Sequence, residues 1–373
     1  MEHLISRKSA KAQQNATNMC GGKLHGVLKK TGRPRKTMSP RRARMVACAA
    51  VLIFARNALG ESPAQGPLPV DPAKVVGADQ CARCHQAEVQ QWLRTAHFAT
   101  FDTLHRTPQA KQIAERLGER SIKRSALCTQ CHYTQQQQEQ RLRVVAGVSC
   151  ESCHGAAADW LTIHADYGGE GVTRETESAE HRAARVAESI ARGMNNPHNI
   201  YLIARQCYAC HTAPNELLVN TGGHVAGSAD FELVAWSQGS VRHNFLRGGG
   251  NTNLTPSQAE LRVMFVVGAL TGLEYSLRAV ATATVKSTFG ITSAQRAARL
   301  KRRLHEIQER INDPLLQRAL DAVATVELRL NNATAITAAA DEVGKTAYEF
   351  AARADGQQLA AVDPLLPAPS QYR

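Results

Sequence analysis

Acidic residues are almost missing from the first 60 positions, where Glu2 stands alone against six Lys and seven Arg. The formal charge of +13 over 373 residues is therefore lopsided, because beyond position 60 the chain holds 32 basic and 31 acidic side chains. A body so close to neutral excludes the reading its total charge invites, a nucleic-acid-binding surface. Long apolar runs near the start are lacking too. Met45–Phe54 extends over ten residues, whereas a helix needs about 20 to cross a bilayer, so no transmembrane span is expected in the mature chain. No phosphate-binding glycine loop is present either; Gly248-Gly249-Gly250 reads as a flexible turn and not as a nucleotide site.

The basic start has the layout of an export signal. Arg41, Arg42 and Arg44 precede the apolar run, and Ala58-Leu59-Gly60 follows as a small-x-small cleavage site. Residues 38–60 are therefore expected to be a signal peptide cut near Gly60, with a periplasmic mature protein. Residues 1–37 are expected to be an over-extended start, with Met38 the true first residue. Pro63, Pro67, Pro69 and Pro72 make residues 61–74 a stiff tether.

Cysteine is where the information lies. Apart from Cys20 and Cys48, which processing would remove, the eight cysteines all fall in one repeated pentapeptide. The copies are Cys81-Ala-Arg-Cys84-His85, Cys128-Thr-Gln-Cys131-His132, Cys150-Glu-Ser-Cys153-His154 and Cys207-Tyr-Ala-Cys210-His211. C-x-x-C-H is the attachment site of haem c: two thiols add to the haem vinyl groups and the adjacent histidine becomes the proximal iron ligand. A zinc knuckle or a set of disulfides would leave the four histidines without a role. Four covalently attached haems c are expected, on proximal ligands His85, His132, His154 and His211.

Each iron then needs a sixth ligand or stays open. Only Met194 and Met264 lie beyond the leader, too few for four His/Met haems. Spare histidines are more plentiful. His97 follows the first motif in Trp92-Leu93-Arg94-Thr95-Ala96-His97, and His164 follows the third in Trp160-Leu161-Thr162-Ile163-His164. With His198 and His243, in loop contexts able to reach across a packed haem stack, they are the distal candidates. His105, His181 and His305 stand among charged neighbours and read as solvated, and His224 in Gly222-Gly223-His224 is intermediate.

The stretch Cys81 to His97, the run Gly147-Val148-Ser149-Cys150-Glu151-Ser152-Cys153-His154-Gly155 and Arg205-Gln206-Cys207-Tyr208-Ala209-Cys210-His211 together resemble the tetrahaem cytochrome c-554 family. The resemblance covers roughly residues 75–245. It implies a mostly helical fold with closely stacked haem pairs, and distal roles for His97 and His164, each on a haem other than the one it follows. It also implies a five-coordinate second haem, which makes the iron on His132 the candidate open site. The Gln135–Gln138 run, the spacing from His198 to Cys207 and the last 120 or so residues depart from the family pattern.

An all-α protein is expected, with a tetrahaem cytochrome domain at 75–250 and a helical region at 255–373. Thr255-Pro256-Ser257-Gln258 supplies an N-cap, a first-turn proline and a capping-box Gln for a helix apolar on more than one face, hence buried. Thr292-Ser293-Ala294-Gln295 opens a second helix with Leu300, Leu304, Ile307 and Ile311 in a stripe. Asp313-Pro314 caps a third, and the Ala-rich stretch 333–354 makes a fourth; together they read as an antiparallel bundle.

The leading functional reading is an electron carrier, in which no side chain acts as nucleophile or base. Two others stand beside it: an enzyme acting on nitric oxide, nitrite or hydroxylamine at an open haem, and a haem-wire subunit of a larger redox complex. Each bis-histidine ferric haem adds about one negative charge, which puts the mature holoprotein at about −3 and favours basic redox proteins as donor and acceptor over nucleic acid.

Overall fold

A computed structural model describes residues 70–228 and 230–373, which belong to one compact unit. The stretches expected to be an over-extended start (1–37) and a signal peptide (38–60), with most of the expected tether (61–74), lie outside the described residues.

The first half is built from short helices. They are α1 (Ala78–Ala82), α2 (Gln86–Trp92), α3 (Ala96–Thr103), α4 (Pro108–Arg116) and α5 (Ala126–His132), followed by an antiparallel hairpin of β1 (Thr134–Gln138) and β2 (Arg141–Ala146). Then come α6 (Cys150–His154), α7 (Ala179–Ala191), α8 (Ile200–His211), α9 (Glu216–Asn220) and α10 (Leu233–Ser237). The class is all-α. The hairpin is the exception: Gln137 N–H donates to Pro72 O, and the Gln136 side-chain amide donates to Val75 O, so the glutamine run gains a neighbour from the start of the described chain.

Four further helices complete the chain: α11 (Gln258–Thr282), α12 (Thr288–Ile311), α13 (Pro314–Ala322) and α14 (Ala333–Arg353). α11 is the axis of the packing. Every residue from Met264 to Val280 is buried, and α8, α10, α12 and α14 surround it. By length and hydropathy α11 would suffice to cross a membrane, but 89% of its apolar window is buried inside the protein, as befits the central helix of a bundle. Gly272 makes room for α8: a Cβ there would lie 3.0 Å from the Tyr208 ring.

Two helix starts differ from their sequence expectation. α11 is capped by Ser257, whose hydroxyl accepts from Glu260 N–H while the Glu260 carboxylate accepts from Ser257 N–H; the capping box sits two residues beyond Thr255, and Gln258 is not its partner. α12 begins at Thr288 because Asn220 of α9 accepts from Phe289 N–H at 3.0 Å, a cap supplied from 69 residues away. Asp313 caps α13 with Pro314 at its first position, in agreement with the sequence.

Candidate haem-binding site

Three of the four pentapeptides are helical where their sulfurs are carried, and in the first Cys84 lies in the turn just after the helix that holds Cys81. Cys128–His132 ends α5, Cys150–His154 forms α6 and Cys207–His211 ends α8, while Cys81 lies in α1 and His85 N–H bonds back to Cys81 O at 2.8 Å. Helical spacing puts cysteines three apart on one face. The motifs also meet one another. The Cys81 thiol lies beside that of Cys150, and the Cys131 thiol beside that of Cys210. Cys153 in turn lies close enough to Cys207 and Cys210 to push both thiols up, adding to the larger effect of burial on Cys207 and of the Cys131 thiol and burial on Cys210.

The histidines pair two by two. His85 faces His164 with ring centres 6.3 Å apart, His211 faces His97 at 6.3 Å, His154 faces His243 at 6.1 Å and His132 faces His224 at 6.2 Å. An imidazole nitrogen lies roughly 1.1 Å from its ring centre and about 2.0 Å from a bound metal, so two imidazoles on one iron have centres ~6.2 Å apart. Each pair therefore has the spacing that an iron between two histidines requires. Among the described residues, no group of three or more His, Cys, Asp or Glu side chains converges as a bare metal ion would need.

The electrostatics match the pairing. Burial, reinforced by neighbouring histidines, lowers His132, His154 and His211 to about 4, so each is neutral at physiological pH, the form in which a ring nitrogen binds metal. Three of the facing rings have their other nitrogen anchored. His164 Nδ1–H donates to Leu161 O at 2.6 Å, His243 Nδ1–H to Val241 O at 2.7 Å and His224 Nδ1–H to Val225 O at 2.8 Å, which leaves Nε2 as the nitrogen available to coordinate.

Supporting residues hold these rings in register. Gly147 is a glycine because β2 runs directly into α3: a Cβ there would overlap His97 O and Thr100 Oγ1, while Val148 N–H donates to His97 O at 3.1 Å. Arg185 on α7 donates to His164 O at 2.6 Å and is itself clamped by both Glu177 oxygens. Glu151, inside the third motif and only 1% exposed, accepts from Val76, Gly77 and Ala157 N–H at 2.8–2.9 Å. Phe231 stacks on His211 at 4.3 Å, with Trp236 at its edge.

His97, His164 and His243, nominated from sequence, thus stand opposite motif histidines. His97 faces the fourth motif although it follows the first, and His164 faces the first although it follows the third. His198 does not join them; its N–H bonds Asn196 Oδ1 in an exposed turn. His224 occupies the remaining place, opposite the His132 that the family resemblance leaves open. Nothing local in Gly222-Gly223-His224 sets it above His198, which also sits in a turn without an adjacent charge.

A sequence model of the family described as cytochrome c554 and c-prime matches residues 80–155. Over this region the chain is similar to the cytochrome c-554 family, and it spans less than half the length of the relative it matches. It is 30% identical over 100 residues to cytochrome c-554 of Nitrosomonas europaea, an alignment that covers 25% of this chain and 43% of that relative. No solved structure matches. A c-type cytochrome holds its haem covalently, and the thiol pairs of the matched segment are the attachment points such a haem needs.

Proposed function

We propose that this chain is an exported electron-transfer protein with four covalent haems, one on each C-x-x-C-H motif, and that His97, His164 and His243 are sixth ligands at the fourth, first and third sites. The observation that carries the reading is the repeated separation of 6.1–6.3 Å between each motif histidine and a second histidine. When bound, the haems supply one-electron redox chemistry. The chain's own residues supply spacing and ligation. Cys81 adjoins Cys150, Cys153 neighbours Cys207 and Cys210, and Cys210 adjoins Cys131, so the sites follow one another as first, third, fourth, second. The first and second motifs are then the ends at which donor and acceptor proteins meet the chain.

The helical region at 255–373 serves as the platform for α8 and hence for the fourth motif. Mature holoprotein at about −3 favours basic redox partners, whose association should weaken as salt rises. A pyridine haemochrome assay on protein secreted with its haem is the direct test: four haems per chain are expected, and fewer would overturn the reading. N-terminal sequencing of the same material should begin near Glu61, and a start before Met38 would remove the export signal.

A further inference from the structure

We infer that His224 is the sixth ligand at the second site, so that the iron carried by His132 is closed in the resting protein. This rests on the tetrahaem reading and concerns one of its four sites. The resemblance to the family implies the opposite, an open second iron.

Three observations converge on His224. Its ring centre is 6.2 Å from that of His132, inside the 6.1–6.3 Å range of the other three pairs. Its Nδ1–H is committed to a main-chain carbonyl, the arrangement also found at His164 and His243, so the nitrogen left for metal is Nε2. The loop that carries it is pinned on both sides. Behind the ring, Gly223 N–H and His224 N–H bond back to Val219 O and Leu218 O of α9, at 3.2 and 3.1 Å, and Arg116 of α4 donates to Gly222 O. Ahead of it, Ala226 O accepts from Arg296, a buried arginine of α12. Gly223 turns the chain at φ 75°, which favours glycine, and so aims the next residue inward.

The consequence concerns reactivity. An exogenous small ligand can reach the second iron only by displacing His224, so the resting protein passes electrons through this site and does not offer it as a binding position. Val225, 60% exposed, makes the ligand loop the outermost part of the site and the segment that would have to move.

Electron paramagnetic resonance of the ferric holoprotein, with its haem count measured in parallel, tests this. Wild-type protein should show low-spin haem only. His224→Ala should keep four haems per chain, convert one of them to high spin, and return to low spin when imidazole is added. His198→Ala should leave the spectrum unchanged. A high-spin haem in the wild type that His224→Ala does not increase would overturn the inference while leaving the tetrahaem reading intact, whereas a haem count below four would strike the tetrahaem reading itself. Should His224→Ala fail to fold, His224→Met decides: it should keep every haem low-spin and raise the potential of one, and unchanged potentials would overturn the assignment.

Discussion

Between residues 78 and 237 the helices are five to thirteen residues long, whereas α11, α12 and α14 have 25, 24 and 21. Burial divides the chain in the same way. The main buried cluster begins at Tyr201 and runs to Val362, while the earlier residues contribute a small cluster of Ala114, Ile122, Cys128 and Tyr133. Segments that short cannot hold themselves together in water, since isolated helices below about 12–15 residues are marginal and a small apolar core offsets little chain entropy. The difference teaches that the C-terminal helices have a core of their own side chains, while the first region has little, and on the proposed reading bound haem would supply the rest.

The largest effect should therefore come from withholding haem. Chain produced without haem attachment is expected to lose ordered structure from Val75 to about His198 and to keep the α11–α14 helices, with limited proteolysis leaving a protected C-terminal fragment. Full protection of the N-terminal region in such material would break the comparison.

Within the C-terminal core one ion pair is buried. Arg278 donates through Nε and Nη2 to Glu274 Oε1 at 3.0 and 2.8 Å, and Tyr201 of α8 donates to Oε2. Burial pushes the Glu274 carboxyl up, and the arginine opposes this. Arg278→Met strands a buried carboxylate and should cost ~3–5 kcal/mol in denaturant unfolding of this region. Glu274→Leu combined with Arg278→Met should cost less than Arg278→Met alone, because it removes both charges.

The matching test in the first region is Glu151→Gln. The buried carboxylate that accepts three main-chain N–H groups ties residues 76–77 to the third motif. An amide in its place keeps one acceptor oxygen, and a loss of about 2 kcal/mol is expected. Hydrogen exchange should quicken at Val76, Gly77 and Ala157 and stay unchanged in α11; equal quickening in α11 would show that the two regions unfold as one.

How much of this was legible in the sequence follows from how local each feature is. The four C-x-x-C-H pentapeptides are readable because each is complete within five consecutive residues. α13 is readable because Asp313 and Pro314 cap it locally. Facing histidines are placed by tertiary packing, and so His224 and His198 could not be ranked from their neighbours: both sit in turns, and only the fold brings one of them to His132. The start of α12 was hidden for the same reason, since its cap comes from Asn220. The β1–β2 hairpin was masked by glutamine, a residue with no strand preference, whose partners at Pro72 and Val75 lie more than 60 residues away in sequence. Glu151 was quoted as part of a motif, but nothing local announces a carboxylate that gathers three N–H groups.

The smallest expected effect is the most selective, because each region carries one carboxylate held far below its usual range. Hydrogen bonds from Arg185, then from His181, lower Glu177 to about 2, and a hydrogen bond from Arg262, then from Gln258, lowers Asp363 to about 2. A carboxyl depressed by folding contributes stability in full above its ordinary value, 4.5 for Glu177, and loses it as pH falls toward about 2. The two groups differ in what they hold. Arg185 also donates to His164 O, so protonating Glu177 frees the clamp on a proposed sixth ligand of the first haem, whereas the Asp363 pair joins α11 to the chain end. Between pH 5 and 2 the low-spin spectrum of the wild type should therefore contain a small acid-dependent component that Glu177→Gln removes by showing the change already at pH 5. Asp363→Asn should leave that component in place and shift only the unfolding of the C-terminal helices. If both variants moved the haem spectrum equally, ligand geometry at the first site would depend on the C-terminal core, and the division between the regions would be one of composition and not of stability.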